Sequence, residues 1–122
     1  MPNPVAYFEL GSRNASGLKE FYASLFGWNV EPFGQSAAGT DYFHVEPEEG
    51  GIAGGILQTS GEMPPNYVMF YVSVDDLQAS LDKAEGLGGK TVVPPMPIPN
   101  DMGHIAVFMD PDDNVIGLHS SS

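Results

Sequence analysis

The start of the chain alternates between apolar and mixed positions, which is the period of a β-strand. Over Pro4–Leu10, every second residue from Ala6 onward is apolar, whereas the positions between them include Tyr7 and Glu9. Because successive side chains of a strand point to opposite faces, we expect the apolar set to face a helix layer. Tyr7 and Glu9 should then share the opposite face.

The following segment, residues 14–26, changes to the period of an amphipathic helix. Asn14 stands where an N-cap is expected, and Gly27 stands where a left-handed glycine commonly ends a helix. Apolar residues at helical spacing form one stripe along this helix. They are Leu18, Phe21, Tyr22, Leu25 and Phe26.

Short strands and turns are predicted over residues 28–66. The strands are Trp28–Glu31, Asp41–Glu46 and Gly51–Leu57. Pro32 is expected to end the first of them, and residues 35–40 to form a loop. Residues 47–50 predict the turn of a hairpin, and residues 58–66, with one glycine and two prolines, predict a linker.

The same order of elements is predicted again in the second half. Tyr67–Val74 has a strand pattern, and Asp75–Gly86 has a helical pattern with two aspartates at its N-terminal end. A short strand at Thr91–Val93 should precede a loop at Pro94–Pro99. The last predicted strands, His104–Met109 and Val115–Leu118, form a hairpin around a turn of residues 110–114.

Corresponding landmarks in the two halves have nearly constant spacing. Val5 and Tyr67 open equivalent strands 62 residues apart, and Leu18 and Leu81 lie on equivalent helices 63 residues apart. The hairpin prolines Pro47 and Pro111 are separated by 64 residues. Agreement within two residues predicts an internal duplication whose halves pack as one unit.

The net charge of −12, with only four Lys and Arg residues, excludes several classes of partner. Binding to nucleic acid or to an anionic membrane requires clustered basic residues, so neither partner is expected. No apolar run approaches the roughly 18 residues of a membrane span, and no signal peptide is expected from the N-terminus. The absence of cysteine excludes disulfides and thiolate sites and is typical of a cytoplasmic protein.

Four stretches taken in order resemble the vicinal-oxygen-chelate superfamily of glyoxalases, bleomycin-resistance proteins and extradiol dioxygenases, and its small bacterial glyoxalase-related proteins in particular. These stretches are Val5–Leu10, Glu20–Trp28, Val72–Leu77 and Phe108–Leu118. The resemblance implies an α+β fold in which two βαβββ repeats form one cupped mixed sheet with helices outside. It also implies a single domain over residues 1–122, with repeats at about 4–60 and 66–120.

The resemblance also shows where the superfamily's four metal ligands would stand. These positions hold Tyr7, a residue among Ala53–Gly55, Met69 and Gly117, none of which suits the usual divalent ion. We therefore expect no metal cofactor at this centre. A divalent metal at a relocated site stays open, with His119, Glu9 and either His44 or His104 as its ligands.

Strand parity within the implied fold predicts the ligand-binding residues. They are Tyr7, Glu9, Met69, Tyr71, Gly117 and His119. The glycines would leave room for a ligand where metal ligands otherwise project. Desolvation in an apolar cup would raise the pKa of the Glu9 carboxyl, so Glu9 could act as a general base, and His119 is the second candidate catalytic residue.

The leading hypothesis is a domain that binds a small organic molecule without the usual metal centre. One alternative is a lyase or isomerase acting on a small oxygenated substrate. Another is a protein that sequesters a cationic antibiotic, which the strong acidity favours, and a third is an accessory module with an empty cup. The resemblance also implies a homodimer.

Overall fold

The computed structural model describes residues 3–122, which divide into two compact units. Tyr7–Val68 forms one unit, and Met69–Ser122 with residues 3–6 forms the other. The elements of the first half are β1 Val5–Ser12, α1 Ala15–Phe26, β2 Val30–Gln35, β3 Asp41–Val45 and β4 Ala53–Gln58. The strands pair in the order β2-β3-β4-β1, in which β1 and β4 are parallel and the other pairs are antiparallel.

The second half repeats this arrangement. Its elements are β5 Tyr67–Ser73, α2 Leu77–Gly86, β6 Lys90–Pro97, a 3₁₀ turn at Pro99–Asp101, β7 His104–Met109 and β8 Val115–Ser120. The strands pair in the order β5-β8-β7-β6, again with one parallel pair, β5 with β8. The α+β class and the two βαβββ repeats are therefore confirmed, whereas the organisation as a single domain stays a prediction.

The core of the first unit confirms the two faces predicted for β1. Phe8 and Leu10 pack against a buried cluster beneath α1. The buried members of that cluster are Ala15, Val30, Val45 and Ile56. Because strand side chains alternate, Tyr7 and Glu9 lie on the face of the sheet opposite α1.

Helix α1 begins and ends as predicted. The Asn14 side chain accepts a hydrogen bond from the Gly17 amide at 3.1 Å, and Gly27 closes the helix at φ 72°. The apolar stripe is only partly buried, however. Leu18 packs against the core, whereas Phe21, Leu25 and Phe26 expose 56–58% of their surface.

We expect Gly27→Ala to destabilise the protein by about 1 kcal/mol, because a side chain at a left-handed residue meets the backbone. A Cβ at this position would have no neighbour within 4 Å, so the cost should come from the backbone conformation alone. The free energy of unfolding in urea measures it. An unchanged free energy would contradict this assignment, whereas Gly27→Asn should cost less than Gly27→Ala because asparagine tolerates the left-handed region.

The second unit has its own core beneath α2. Leu77 and Leu81 of the helix pack against Ala106 and Leu118 of the sheet. The helix begins two residues later than predicted, because the Asp76 carboxylate accepts a hydrogen bond from the Ala79 amide at 3.0 Å and caps it. Among residues 3–122, neither helix has the length and apolar character that a membrane crossing requires.

Two strand predictions were too short, and both errors involve proline. Strand β2 continues through Pro32 to Gln35, and β6 extends over Lys90–Pro97 instead of ending at Val93. Each is the outer strand of its four-stranded group. An outer strand tolerates a missing backbone N–H on its unpaired side, so proline does not end it. The pairing shifts register near these prolines in both strands.

Candidate functional site

A buried carboxylate lies on the face of the first unit opposite α1. Glu9 is 4% exposed, and the Tyr67 hydroxyl donates a hydrogen bond to its Oε2 at 2.7 Å. The Tyr42 hydroxyl donates to its Oε1 at 3.3 Å. We call the surface formed by Tyr7, Glu9, Tyr42 and Tyr67 the tyrosine face. Both hydrogen bonds favour the ionised carboxylate, which burial disfavours.

Glycines in neighbouring strands make room for the tyrosine rings. Glu9 and Gly55 are register partners in β1 and β4, and Gly55 also faces His44 of β3. A Cβ at Gly55 would overlap the Tyr42 hydroxyl, and a Cβ at Gly11 would overlap the Tyr67 ring. The absence of these two side chains therefore allows both tyrosines to reach Glu9.

The tyrosines of this face keep their protons. Burial raises the pKa of Tyr7, Tyr42 and Tyr67 well above that of an ordinary phenol, and the negative charge of Glu9 raises each pKa further. The hydrogen bonds that Tyr42 and Tyr67 donate to Glu9 act in the same direction. These side chains consequently serve as neutral hydrogen-bonding groups at physiological pH and do not form phenolates.

An aromatic rim borders the tyrosine face. The Phe33 ring centroid lies 6.0 Å from that of Tyr42, nearly edge-on, and 6.1 Å from that of His44. The His44 Nε2 atom lies 3.5 Å from the Glu46 carboxylate. Aromatic walls around a few polar groups are typical of small-molecule sites.

The other predicted ligand-binding residues lie in the second unit. Met69 and Tyr71 are buried on the same face of β5, and Tyr71 is the register partner of Gly117 in β8. A Cβ at Gly117 would overlap the Tyr71 ring. The expectation that the glycines leave open space for a ligand was therefore wrong at Gly55 and Gly117, because a tyrosine side chain occupies the space beside each one.

His119 has the predicted orientation on β8. Its neighbour Leu118 packs in the core beneath α2, so His119 and Gly117 point to the opposite face. One His119 ring nitrogen, Nε2, lies 3.0 Å from the Met102 carbonyl oxygen. This contact holds His119 beside the segment that follows the 3₁₀ turn.

The residues at the superfamily's four ligand positions do not fit a divalent metal centre. Tyr7 stays protonated, Met69 offers only a thioether, and tyrosine side chains fill the space beside Gly55 and Gly117. A relocated centre has no support in the part of the chain described here, residues 3–122, where no three His, Asp or Glu side chains come together. His104 lies 3.0 Å from the Ser122 carbonyl oxygen instead. The lack of a metal cofactor stays a prediction.

Two residues of the tyrosine face were not among the predicted site residues. Tyr42 precedes the inward-facing Phe43, so strand parity alone places it on the same side as Glu9. Tyr67 shares the parity of Met69 and Tyr71 in β5 and could have been added in the same way. Their convergence on Glu9 depends on the register between strands, which parity does not give.

Ligand binding stays a prediction for the four predicted site residues outside the tyrosine face, which are Met69, Tyr71, Gly117 and His119.

Residues 8–119 match the family described as a glyoxalase-like domain. The chain is 26% identical over 124 residues to the anthracycline biosynthesis protein DnrV of Streptomyces peucetius, a match that covers 90% of this chain and 44% of that protein. It is 30% identical over 115 residues to the putative glyoxylase CFP32 of Mycobacterium tuberculosis, covering 92% of this chain and 43% of that protein. The chain thus spans less than half the length of these curated relatives.

Solved structures share the fold at low sequence identity. A hypothetical protein from Bacillus halodurans superposes with a TM-score of 0.76 at 10% identity, covering 98% of this chain and 95% of that one. Methylmalonyl-CoA epimerase from Streptomyces coelicolor has a TM-score of 0.68 at 13% identity, covering 100% and 96%. The Mn(II)-bound glyoxalase from Novosphingobium aromaticivorans has a TM-score of 0.62 at 19% identity, covering 98% of this chain and 40% of that one.

Proposed function

The chain belongs to the glyoxalase-like domain family, and we propose that it binds a small organic molecule on the tyrosine face without the superfamily's usual metal centre. The observation that carries this proposal is Glu9, a carboxylate that is 4% exposed and hydrogen-bonded by two tyrosines. Removing a charged group from water is costly unless it gains compensating interactions. A carboxylate retained among aromatic rings is the kind of orienting group that ligand sites contain.

Glu9→Gln should weaken ligand binding by at least tenfold while leaving the fold intact. The measurement is the ligand-induced rise in melting temperature, using hits from a screen of small polar organic molecules. A ligand present at 100 times its Kd stabilises a protein by about 2.7 kcal/mol, and a tenfold loss of affinity reduces that gain to about 1.4 kcal/mol. Glutamine keeps the shape of the side chain, removes its charge and replaces one of the two accepting oxygens with an NH2 group that donates.

Glu48→Gln is the matched control for that measurement. Glu48 lies exposed in the turn between β3 and β4 and undergoes the same change of charge. It should leave the ligand-induced shift unchanged. An equal shift in the wild type, Glu9→Gln and Glu48→Gln would contradict a role for Glu9, and a screen without any hit would contradict the proposed function.

The protein should not take up Mn²⁺, Zn²⁺ or Ni²⁺ stoichiometrically at micromolar concentration. The reason is the donor set, since Tyr7 stays protonated and Met69 is a poor ligand for hard ions. Equilibrium dialysis followed by elemental analysis measures bound metal. Stoichiometric uptake that Glu9→Gln or His119→Ala abolishes would instead establish the relocated centre.

The same screen separates binding from the two rival activities. A lyase or isomerase would convert a bound substrate, so nuclear magnetic resonance of the recovered ligand would reveal a new product. A sequestering protein would return its ligand unchanged. Glu9 and His119 stay predicted catalytic residues for the first case, and the homodimer, the single-domain organisation and a cytoplasmic location are further parts of this proposal.

A further inference from the structure

We propose that the tyrosine face recognises an organic cation, an alkylammonium or quaternary ammonium group held above Glu9 by the rings of Tyr7, Tyr42 and Tyr67. This inference rests on the proposed function and narrows it to one class of ligand. Its basis is the juxtaposition of a buried carboxylate with three half-buried tyrosines in the unit of residues 7–68.

The direction of the hydrogen bonds determines what Tyr42 and Tyr67 can offer a ligand. Both hydroxyl protons point to the Glu9 carboxylate, at 3.3 and 2.7 Å. Because a phenol has a single proton, these hydroxyls present only oxygen lone pairs to a further partner. Acceptor atoms above a buried carboxylate attract a donor or a positive charge and repel a carboxylate or a phosphate.

The rings themselves favour a cation. Tyr7, Tyr42 and Tyr67 stay neutral because burial and the charge of Glu9 oppose their ionisation, so their π-faces keep the negative quadrupole that attracts ammonium groups. A cation over one aromatic face gains about 0.5–2 kcal/mol, depending on desolvation. Quaternary ammonium groups are the ligands that clustered aromatic rings commonly bind.

The Arg and Lys side chains of this unit are engaged elsewhere. Arg13 and Lys19 are the only residues of these two types between positions 7 and 68, and His44 lies beside the Glu46 carboxylate at 3.5 Å. Arg13 donates to the carbonyl oxygens of Gly61 and Met63, and the Lys19 ammonium lies 3.8 Å from Glu20 on α1. With a net charge of −12 on the whole chain, the long-range field also attracts cations and opposes anionic substrates.

The test compares three small probes by nuclear magnetic resonance titration of the whole protein. Choline carries the quaternary ammonium group, 3,3-dimethylbutan-1-ol has the same shape with carbon in place of nitrogen, and malonate is an anion. Choline should bind about tenfold more tightly than the neutral isostere, and malonate should not bind. Glu9→Gln should remove the preference for choline, whereas Glu48→Gln should retain it.

A second pair of variants tests the rings without altering the carboxylate. Tyr7→Phe keeps the π-face and should retain choline binding, whereas Tyr7→Leu should weaken it several-fold. Equal affinity for choline and its neutral isostere, or tighter binding of malonate, would overturn the cation inference and leave the proposed function standing. If choline does not bind at about 10 mM, which is ten times a Kd of 1 mM, the cation inference is also overturned. Uncharged hits in the small-molecule screen would still support the proposed function in that case.

Discussion

Above about pH 10, the free energy of unfolding should fall steeply, by up to about 4 kcal/mol per pH unit, so the protein should unfold as the pH rises. Tyr7, Tyr42 and Tyr67 have a raised pKa in the folded protein, whereas the unfolded chain ionises its tyrosines near pH 10. Above that pH the folded state binds more protons than the unfolded state, so stability falls as pH rises. Each tyrosine contributes about 1.36 kcal/mol per pH unit. This contribution to stability is fully present below pH 10.

Denaturant midpoints between about pH 9 and 11, together with the near-ultraviolet absorbance of phenolate, measure this effect. The absorbance of these three phenolates should rise only with unfolding. The slope of the unfolding free energy against pH should fall by about a third in each single variant, Tyr7→Phe, Tyr42→Phe or Tyr67→Phe. A slope that persists in the triple phenylalanine variant would show that other groups cause the alkaline transition.

The second large effect is expected for Gly11→Ala, which should destabilise the protein by about 2.5–6 kcal/mol. A Cβ at this buried position would overlap the Tyr67 ring and displace it. The displacement combines the cost of overpacking, about 1–3 kcal/mol, with the loss of a hydrogen bond to a buried charged group, about 1.5–3 kcal/mol. That sum is a large part of the stability of a small domain.

Gly86→Ala is the matched control, because a Cβ at Gly86 has no neighbour within 4 Å and the residue lies at the end of α2. It should be neutral or stabilise the protein by up to about 1 kcal/mol. The free energy of unfolding measures both variants. Adding Tyr67→Ser to Gly11→Ala should relieve the overlap. The double variant should therefore lose less unfolding free energy than the two single variants lose in sum. Simple additivity would show that Gly11 and Tyr67 do not conflict.

Local patterns were sufficient for most of the elements and for the faces of β1. Period two separates Phe8 and Leu10, which pack beneath α1, from Tyr7 and Glu9 on the opposite face. The caps of α1 could also be predicted, because Asn14 and Gly27 act on residues close to them in the sequence. The lengths of β2 and β6 could not be predicted, because proline is compatible with a strand only at the edge of a sheet and the sequence does not give the position of a strand in the sheet.

The candidate site depended on contacts between distant parts of the chain. Tyr42 and Tyr67 reach Glu9 from positions 33 and 58 residues away, and the register of strand pairing decides where they meet. Strand pairing also sets Tyr42 beside Gly55 and Tyr71 beside Gly117, so tyrosines fill the space that these two glycines were expected to leave for a ligand. Alternation along a strand follows from covalent geometry and is visible in the sequence. Which residues of separate strands become neighbours is fixed only when hydrogen bonds align those strands in the fold.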